Sequence, residues 1–383
     1  MQGLEFHTTK SVLVEPGSSA RLGDLAKGLG CRCIMLVTDK GVEKAGLLAP
    51  ALKGFAAAGI SVTVYSDVEA DPPDHVIHAA IEWASANKVD GVVGLGGGSS
   101  MDVAKLVALL APSHETLPQV YGIGLAKGPR LPLILVPTTA GTGSEVTPIS
   151  IVTTGENEKK GVVAPVLLPD WAVLDADLTL GLPTPTTAAT GIDAMVHAIE
   201  AYTSKRLKNP ISDALAREAL RLLAQNIHEV CRNGGNREAR QHMLLGAMLA
   251  GMAFANAPVA GVHALAYPVG ARFHVPHGLS NSLVLPQVLG FSRTAAEPLY
   301  AQLAEIVVPD AAGGEAEKSL ALVAHFRRLP AELGLPTRLS EVGIGSADLP
   351  KLAEDSMRQT RLLINNPREI DYQDALAIYG EAL

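Results

Sequence analysis

Cysteine is scarce in this chain, aromatic residues make up only 4% of it, and no run of Lys or Arg occurs anywhere. The three cysteines, Cys31, Cys33 and Cys231, are too few for a disulfide framework. Two of them sit at the head of an apolar run that reads as a strand, where packing is the expected role. A formal net charge of -8 without a basic cluster leaves no electrostatic footprint for nucleic acid or anionic lipid. No window reaches the roughly 18 consecutive apolar residues of a membrane span. The first ten residues mix charged and polar side chains and lack an apolar signal-peptide core, so a soluble, cytoplasmic protein is expected.

What is present is a large apolar fraction, 48% of 383 residues, enough for two cores rather than one. Short apolar runs bounded by Gly, Pro or Asp at 33–37, 62–65, 92–95 and 133–136 read as buried strands. Segments of helical spacing at 44–58 and 75–87 are long enough to cross between parallel strands. Beyond about Pro183 the texture changes: Ala, Leu, Met, Arg and Glu dominate residues 186–257, and no β-branched run follows. The expectation is an α/β domain over residues 1–180 and an all-helical domain over 181–383.

Residues 90–105, DGVVGLGGGSSMDVAK, read as a strand, a glycine-rich turn and a helix start. Such a turn presents backbone N–H groups to an anion, and Gly96, Gly97 and Gly98 let a diphosphate approach. Ser99 stands where the third glycine of the common dinucleotide fingerprint would fall if Gly94 is the first. A second loop, LILVPTTAGTGSEVT at 133–147, places Thr138, Thr139, Thr142 and Ser144 after a strand, in the crevice where open α/β sheets take ligands. At the end of the first strand Asp39 would accept bonds from a ribose diol and repel a 2′-phosphate, which favours NAD over NADP. Each feature has a bland reading as a turn, so the weight lies in their combination.

In the second half, Asp193 and His197 lie four residues apart in TTAATGIDAMVHAIEAYTS, stacking a carboxylate and an imidazole on one helix face. Downstream, GVHALAYPVGARFHVPHGLSN carries His263, His274 and His277, two of which would complete a four-ligand site. Oxygen and nitrogen donors without thiolate suit Fe(II), Zn(II), Mn(II) or Ni(II), and donor type does not choose among them.

These residues resemble the iron-dependent (group III) alcohol dehydrogenase family. The resemblance runs through VTDKG at 37–41, GGGSSMDVAK at 96–105, PTTAGTGSEVT at 137–147, TAATGIDAMVHAIEAY at 187–202, residues 263–286, and NNPREI at 365–370. It implies an N-terminal dinucleotide-binding α/β domain and a helical C-terminal domain, the fold shared with dehydroquinate synthase, assembled as homodimers or larger homo-oligomers. It implies metal ligands at Asp193, His197, His263 and His277, with Fe(II) as the family's metal. NAD contacts are implied at Asp39, Gly97, Gly98, Ser99, Thr138, Thr139 and Thr142, with Val152, Lys160 and Leu178 as further lining positions and Lys160 near the nicotinamide ribose. The implied chemistry is hydride transfer between NAD(H) and a small alcohol or aldehyde, with the metal acting as a Lewis acid on the substrate oxygen and His263 and His277 serving that step.

One departure stands out. Many members read HALAHPLG where this chain reads HALAYPVG, so Tyr267 replaces a histidine near the substrate. A phenol hardly ionises near neutral pH, which puts a proton-relay role in doubt and leaves pocket lining or a bond to the substrate oxygen. Phe254 and Ile149 would make the pocket partly apolar, favouring a short aliphatic substrate over a highly charged one. The competing readings are a lyase of the dehydroquinate synthase type, whose site starts from a glutamate and needs a denser basic pocket, and a metal-free enzyme like maleylacetate reductase, which lacks part of the ligand set. A non-catalytic dinucleotide sensor is the remaining alternative.

Overall fold

The structure, a computed structural model, describes residues 3–155 and 158–383, with residue 158 described by its backbone alone. The chain divides into two compact units, His7–Gly181 and Leu182–Leu383, and residues 3–6 belong with the second.

In the first unit, strands β1 (Ser11–Val14), β2 (Cys33–Val37), β3 (Ser61–Tyr65), β4 (Gly91–Gly96), β6 (Leu133–Pro137) and β9 (Trp171–Leu174) form one sheet in the order β1-β9-β6-β4-β2-β3. Every neighbouring pair is parallel. Helices α1 (Leu22–Gly28), α2 (Lys40–Lys44), α3 (Ala49–Ala58), α4 (Asp74–Ala86), α5 (Gly98–Leu110) and α6 (Leu117–Val120) connect them. Successive side chains of one strand point to opposite faces, and both faces are covered, which is why the strand sequences are apolar throughout instead of alternating. Met35, Val37, Val92, Leu133 and Leu135 join one core with residues of α4 and α5. Ile34, Leu36, Val93, Leu95, Ile134 and Val136 join the other with residues of α1 and α3. A Cβ on Gly94 would lie 2.7 Å from the Ala104 Cβ, so the missing side chain is what lets α5 lie flat on β4.

The expected helix over 44–58 is broken. Gly46 takes a left-handed conformation (φ 73°) between α2 and α3, and Pro50 starts α3 afresh. A second sheet, which the apolar runs did not reveal, consists of the hairpin β7 (Ile149–Thr154) and β8 (Glu158–Val163), with β5 (Gly122–Ile123) pairing parallel to β8.

The second unit is helical: α7 (Thr184–Thr203), α8 (Pro210–Arg232), α9 (Arg237–Asn256), α10 (Gly261–Phe273), α11 (His277–Val307), α12 (Glu315–Glu332), α13 (Leu349–Met357), α14 (Thr360–Leu363) and α15 (Tyr372–Ala382). α7 packs against α8, α9 and α11, and from Gly191 to Thr203 every residue is buried. A helix buried all round carries no amphipathic stripe, so its polar residues stand out as costly unless partnered. Among the described residues no single helix is long and apolar enough to cross a membrane.

At the start of the parallel sheet, Asp170 accepts hydrogen bonds from Lys10 Nζ (2.7 Å), Arg130 Nη1 (2.6 Å) and the Leu133 backbone N–H (3.0 Å). The same guanidinium donates to the carbonyls of Leu131, Val166 and Leu168, tying the entries of β6 and β9 together. Burial pushes the Asp170 carboxyl up, but Arg130, Lys10 and the Leu133 N–H outweigh it and hold the pKa down at about 2. A carboxylate whose folded pKa lies below its unfolded value of about 3.9 stabilises the fold above that pH and loses its contribution as pH falls toward 2. Asp170→Asn should therefore cost on the order of 2 kcal/mol at pH 7, read from urea unfolding midpoints, with the gap to wild type closing between about pH 4 and pH 2. A gap that stays constant down to pH 2 would contradict this account.

Candidate active site

In the helical unit, α7 stacks Asp193, His197 and Glu200 on one face at spacings of four and three. His263 comes from the first turn of α10 and His277 is the first residue of α11. A Cβ on Gly278 would stand 2.4 Å from the Ala189 carbonyl oxygen, so only glycine after His277 allows α11 to begin against α7. The ligating atoms of Asp193, His197, His263 and His277 all lie within 4.8 Å of one another. His263 Nε2 is 3.0 Å from His197 Nε2, and Asp193 Oδ1 is 3.5 Å from His277 Nε2 and 3.9 Å from His263 Nε2. A tetrahedral ion with bonds of about 2.0–2.2 Å has ligand separations of roughly 3.4 Å, which this spacing matches. His274, which the sequence left open as a third candidate, caps α10 in a left-handed conformation (φ 54°) and lies outside the cluster.

Two residues of this centre were not singled out by sequence. Glu200 is buried and accepts from the backbone N–H groups of Ala260 (2.9 Å) and Val262 (2.7 Å) and from His263 Nδ1 (2.6 Å). A proton on Nδ1 leaves Nε2 bare and facing the cluster, the tautomer a metal ligand needs. Its position three residues after His197 on the same face was the available signal. Asn281 lies one helical turn after His277; its Nδ2 donates to Asp193 Oδ1 (2.6 Å) and sits 3.3 Å from Nε2 of both His263 and His277. Its Oδ1 is buried without a partner. Ring nitrogens facing one another, a buried carboxylate among them and an orphaned amide oxygen fit a cation-binding centre.

Electrostatics agree. Burial pushes the Asp193 carboxyl up, yet His197, His277 and His263 pull it below the usual carboxylate range. Burial, reinforced by His197 and His277, drives His263 well below the ordinary imidazole value, so it stays neutral and able to coordinate. Burial also lifts Glu200, to about 7, against its N–H donors.

Phe254 stacks on His197 with ring centroids 4.3 Å apart. The Tyr267 ring centroid lies 6.3 Å from that of His263 and 5.8 Å from that of His277. Burial raises the Tyr267 pKa, opposed by the positive charge of Arg361. The third pocket position, Ile149, opens β7 in the first unit, and its carbonyl accepts from Lys105 Nζ at 2.6 Å.

The first unit brings most of the nucleotide residues together. β2 and β4 are neighbours where the strand order reverses, the place such sheets take ligands. Asp39 caps α2 through Oδ1, accepting from the N–H groups of Gly41 (2.8 Å) and Val42 (3.0 Å), while Oδ2 lies 3.4 Å from Ser100 Oγ behind the glycine turn. Nothing lies within 4 Å of a Cβ built on Gly97, whereas one on Gly98 would meet the Thr142 side chain at 2.9 Å. The Thr138 N–H donates to the Gly96 carbonyl at 2.9 Å, so the two loops adjoin, with Thr139 next along the chain and half-exposed. Ser99 Oγ accepts from the Asp71 N–H at 3.2 Å. The Ser144 hydroxyl is engaged by protein, donating to Asp102 and accepting from Lys105, both at 2.7 Å. Val152 and Leu178 bury their side chains in the two cores, leaving only backbone to meet a ligand. Lys160 pairs with Val152 across the hairpin, its Nζ 5.8 Å from the centroid of the Tyr121 ring.

Glu200→Gln should weaken retention of a divalent cation about 10- to 100-fold, measured by chelator competition on the folded protein, because a neutral amide no longer holds the His263 N–H as strongly. Unchanged retention would reduce Glu200 to a helix-packing residue.

Comparison with known proteins follows the same lines. The iron-containing alcohol dehydrogenase family matches residues 9–176, and the C-terminal domain of the Fe-containing alcohol dehydrogenase family matches residues 187–383. Long-chain-alcohol dehydrogenase 1 of Geobacillus thermodenitrificans is 40% identical over 375 residues, covering 96% of this chain and 93% of the relative. A crystal structure of 1,3-propanediol oxidoreductase superposes with a TM-score of 0.96 at 33% identity over the full length of both chains. Sulfoacetaldehyde reductase from Bifidobacterium kashiwanohense, solved in complex with NAD+, gives a TM-score of 0.88 at 27% identity, over 100% of this chain and 99% of that one. Matches to both domains and to a 40%-identical relative over nearly its whole length leave one conclusion: the chain belongs to the iron-containing alcohol dehydrogenase family.

Proposed function

We propose that this alcohol dehydrogenase holds Fe(II) on Asp193, His197, His263 and His277, takes NAD(H) in preference to NADP(H), and interconverts a small alcohol and its aldehyde. The observation that carries the reading is the convergence of one carboxylate oxygen and three ring nitrogens within 4.8 Å, with Asp193, His197 and His263 buried. The relatives' names, with a long-chain alcohol, a propanediol and sulfoacetaldehyde among their substrates, support an alcohol or aldehyde as the reactant without choosing one. A homodimeric or larger cytoplasmic assembly belongs to the same reading and rests on family resemblance.

When bound, the divalent ion supplies Lewis acidity at the substrate oxygen and the nicotinamide carries the hydride. The protein's own part is placement and field. Glu200 fixes the ring orientation and proton position of His263. Phe254 covers one face of His197 and excludes water there, which strengthens every charge interaction around the cluster. Tyr267 keeps its proton near neutral pH because burial raises its pKa. As a protonated phenol it acts as a hydrogen-bond donor and not as a base. In the nucleotide unit, the open side of Gly97 and the N–H groups that begin α5 suit a diphosphate, and Asp39 suits a ribose diol.

Three outcomes test this reading. His263→Ala and His277→Ala should each lose bound metal and lower aldehyde reduction beyond the roughly 100-fold typical of an outer hydrogen-bond partner; full activity in a metal-free variant would overturn the ligand set. Chelation should inactivate the protein and Fe(II) restore it, followed as NADH consumption, whereas recovery with Zn(II) alone would reassign the metal. Asp39→Gly should narrow the preference for NAD over NADP about tenfold or more, read as the ratio of kcat/KM values, since the carboxylate no longer repels a 2′-phosphate. An unchanged ratio would remove Asp39 from the ribose site.

A further inference from the structure

The segment DVEADPP at 67–73, between β3 and α4, runs along the edge of the nucleotide residues. At one end Asp67 forms a backbone bridge with Asp39. At the other, the Asp71 N–H donates to Ser99 Oγ (3.2 Å), the Asp71 carbonyl accepts from Thr153 Oγ1 (2.8 Å), and the Thr153 N–H donates to the Pro72 carbonyl (2.9 Å). Val68 is buried between these anchors. The segment thus spans from the residue that suits a ribose diol to the turn that suits a diphosphate, all within the first unit.

This segment is acidic, and its carboxylates take the lysines that flank it. Lys40, the residue after Asp39 and the first of α2, places Nζ 2.7 Å from Asp67 Oδ1, and Lys159 places Nζ 2.6 Å from Asp71 Oδ1. Asp67 raises the Lys40 pKa, with smaller contributions from Glu43 and Glu69, so the ammonium stays charged. Both side chains of the Lys40–Asp67 pair are about two-thirds exposed, and an ion pair so open to water adds little to stability. What it does fix is the place of the cation that adjoins Asp39 in the chain.

Sheets of this type bind a free 2′-hydroxyl through a carboxylate at the end of a strand, and a 2′-phosphate through a nearby cation. This chain has both groups in consecutive positions, and they would select opposite coenzymes. We propose that Asp67 is a specificity-determining residue: by engaging the Lys40 ammonium it denies a 2′-phosphate its counter-ion, and so completes the preference for NAD that Asp39 begins. The inference rests on the nucleotide reading of this unit and adds a second determinant to it. Asp39 acts by repulsion and Asp67 acts through Lys40, so removing one does not release the other.

The test titrates the folded protein calorimetrically with adenosine 2′,5′-bisphosphate and adenosine 5′-monophosphate at low ionic strength, a measurement that needs neither metal nor turnover. Asp39→Asn serves as the starting variant, because asparagine keeps the cap of α2 while the charge is removed. In that background Asp67→Asn should tighten the bisphosphate about 5- to 20-fold, as expected of one exposed charge-assisted contact, and change the monophosphate less than about twofold. Adding Lys40→Met should abolish the gain, and Asp67→Glu, which keeps a partner for Lys40, should not produce it. In the metal-loaded enzyme the ratio of kcat/KM for NADPH over NADH should rise in Asp67→Asn by a similar factor. No tightening in Asp67→Asn overturns the inference, and so does a gain that survives Lys40→Met, since Asp67 would then act by direct repulsion alone. Wild type that binds neither nucleotide would overturn the nucleotide reading and the inference together. The expected binding pattern in a protein that reduces no aldehyde would count against the proposed activity alone.

Discussion

The hydrogen bond from His263 Nδ1 to the buried Glu200 carboxylate, 2.6 Å long, is the contact on which the centre depends. It settles which ring nitrogen carries the proton, turns the bare nitrogen toward Asp193 and His197, and joins the start of α10 to the middle of α7. Glu200 also accepts the N–H groups of Ala260 and Val262, so one carboxylate satisfies orphan donors at a helix start and orients a ligand with the same two oxygens. Burial lifts the pKa of the Glu200 carboxyl to about 7, and the donors on both oxygens are what hold it from rising further. Without it α10 would keep its helix but lose the reason to begin where it does.

The nucleotide unit solves its placement problem differently, with a buried cation. Lys105 on α5 is fully enclosed and donates to Ser144 Oγ, Thr147 Oγ1 and the Ile149 carbonyl, while Asp102 on the same helix accepts from Ser144 Oγ and the Ile151 N–H. Burial lowers the Lys105 pKa to about 8 and raises that of its neighbour Glu145 to about 7. The helix that starts at the glycine turn thus also clamps the second, Thr-rich loop and the first strand of the hairpin. Lys105 and Asp102, which on sequence are the tail of a glycine-turn motif, act as the fasteners of that loop, and Ser144 spends its hydroxyl there.

The NNPREI segment shows the same division of labour at the far end of the chain. Its two asparagines pin α14 to the start of α10 and so help fix the helix that carries His263. Tyr267, the departure from the common pattern, stands on α10 beside the rings of His263 and His277. A phenol at that point stays protonated near neutral pH, where an imidazole would titrate.

By itself the sequence determined the parallel α/β sheet, the helical second half, the glycine turn and the Asp193–His197 pair, because each is a local pattern: apolar runs buried on both faces, a change of period, and a spacing of four on one helix. It also carried the family resemblance. The break between α2 and α3 and the β7–β8 hairpin escaped it, since a single left-handed glycine and an irregular alternation leave faint traces. The resemblance named His263 and His277, but tertiary structure alone decided that their ring nitrogens meet the Asp193 carboxylate and the His197 ring within one cluster, that His274 turns away as a helix cap, and that Glu200 and Asn281 support the centre. Those outcomes depend on where helix starts and turns meet in space, and no periodicity in the chain records a meeting between residues so far apart.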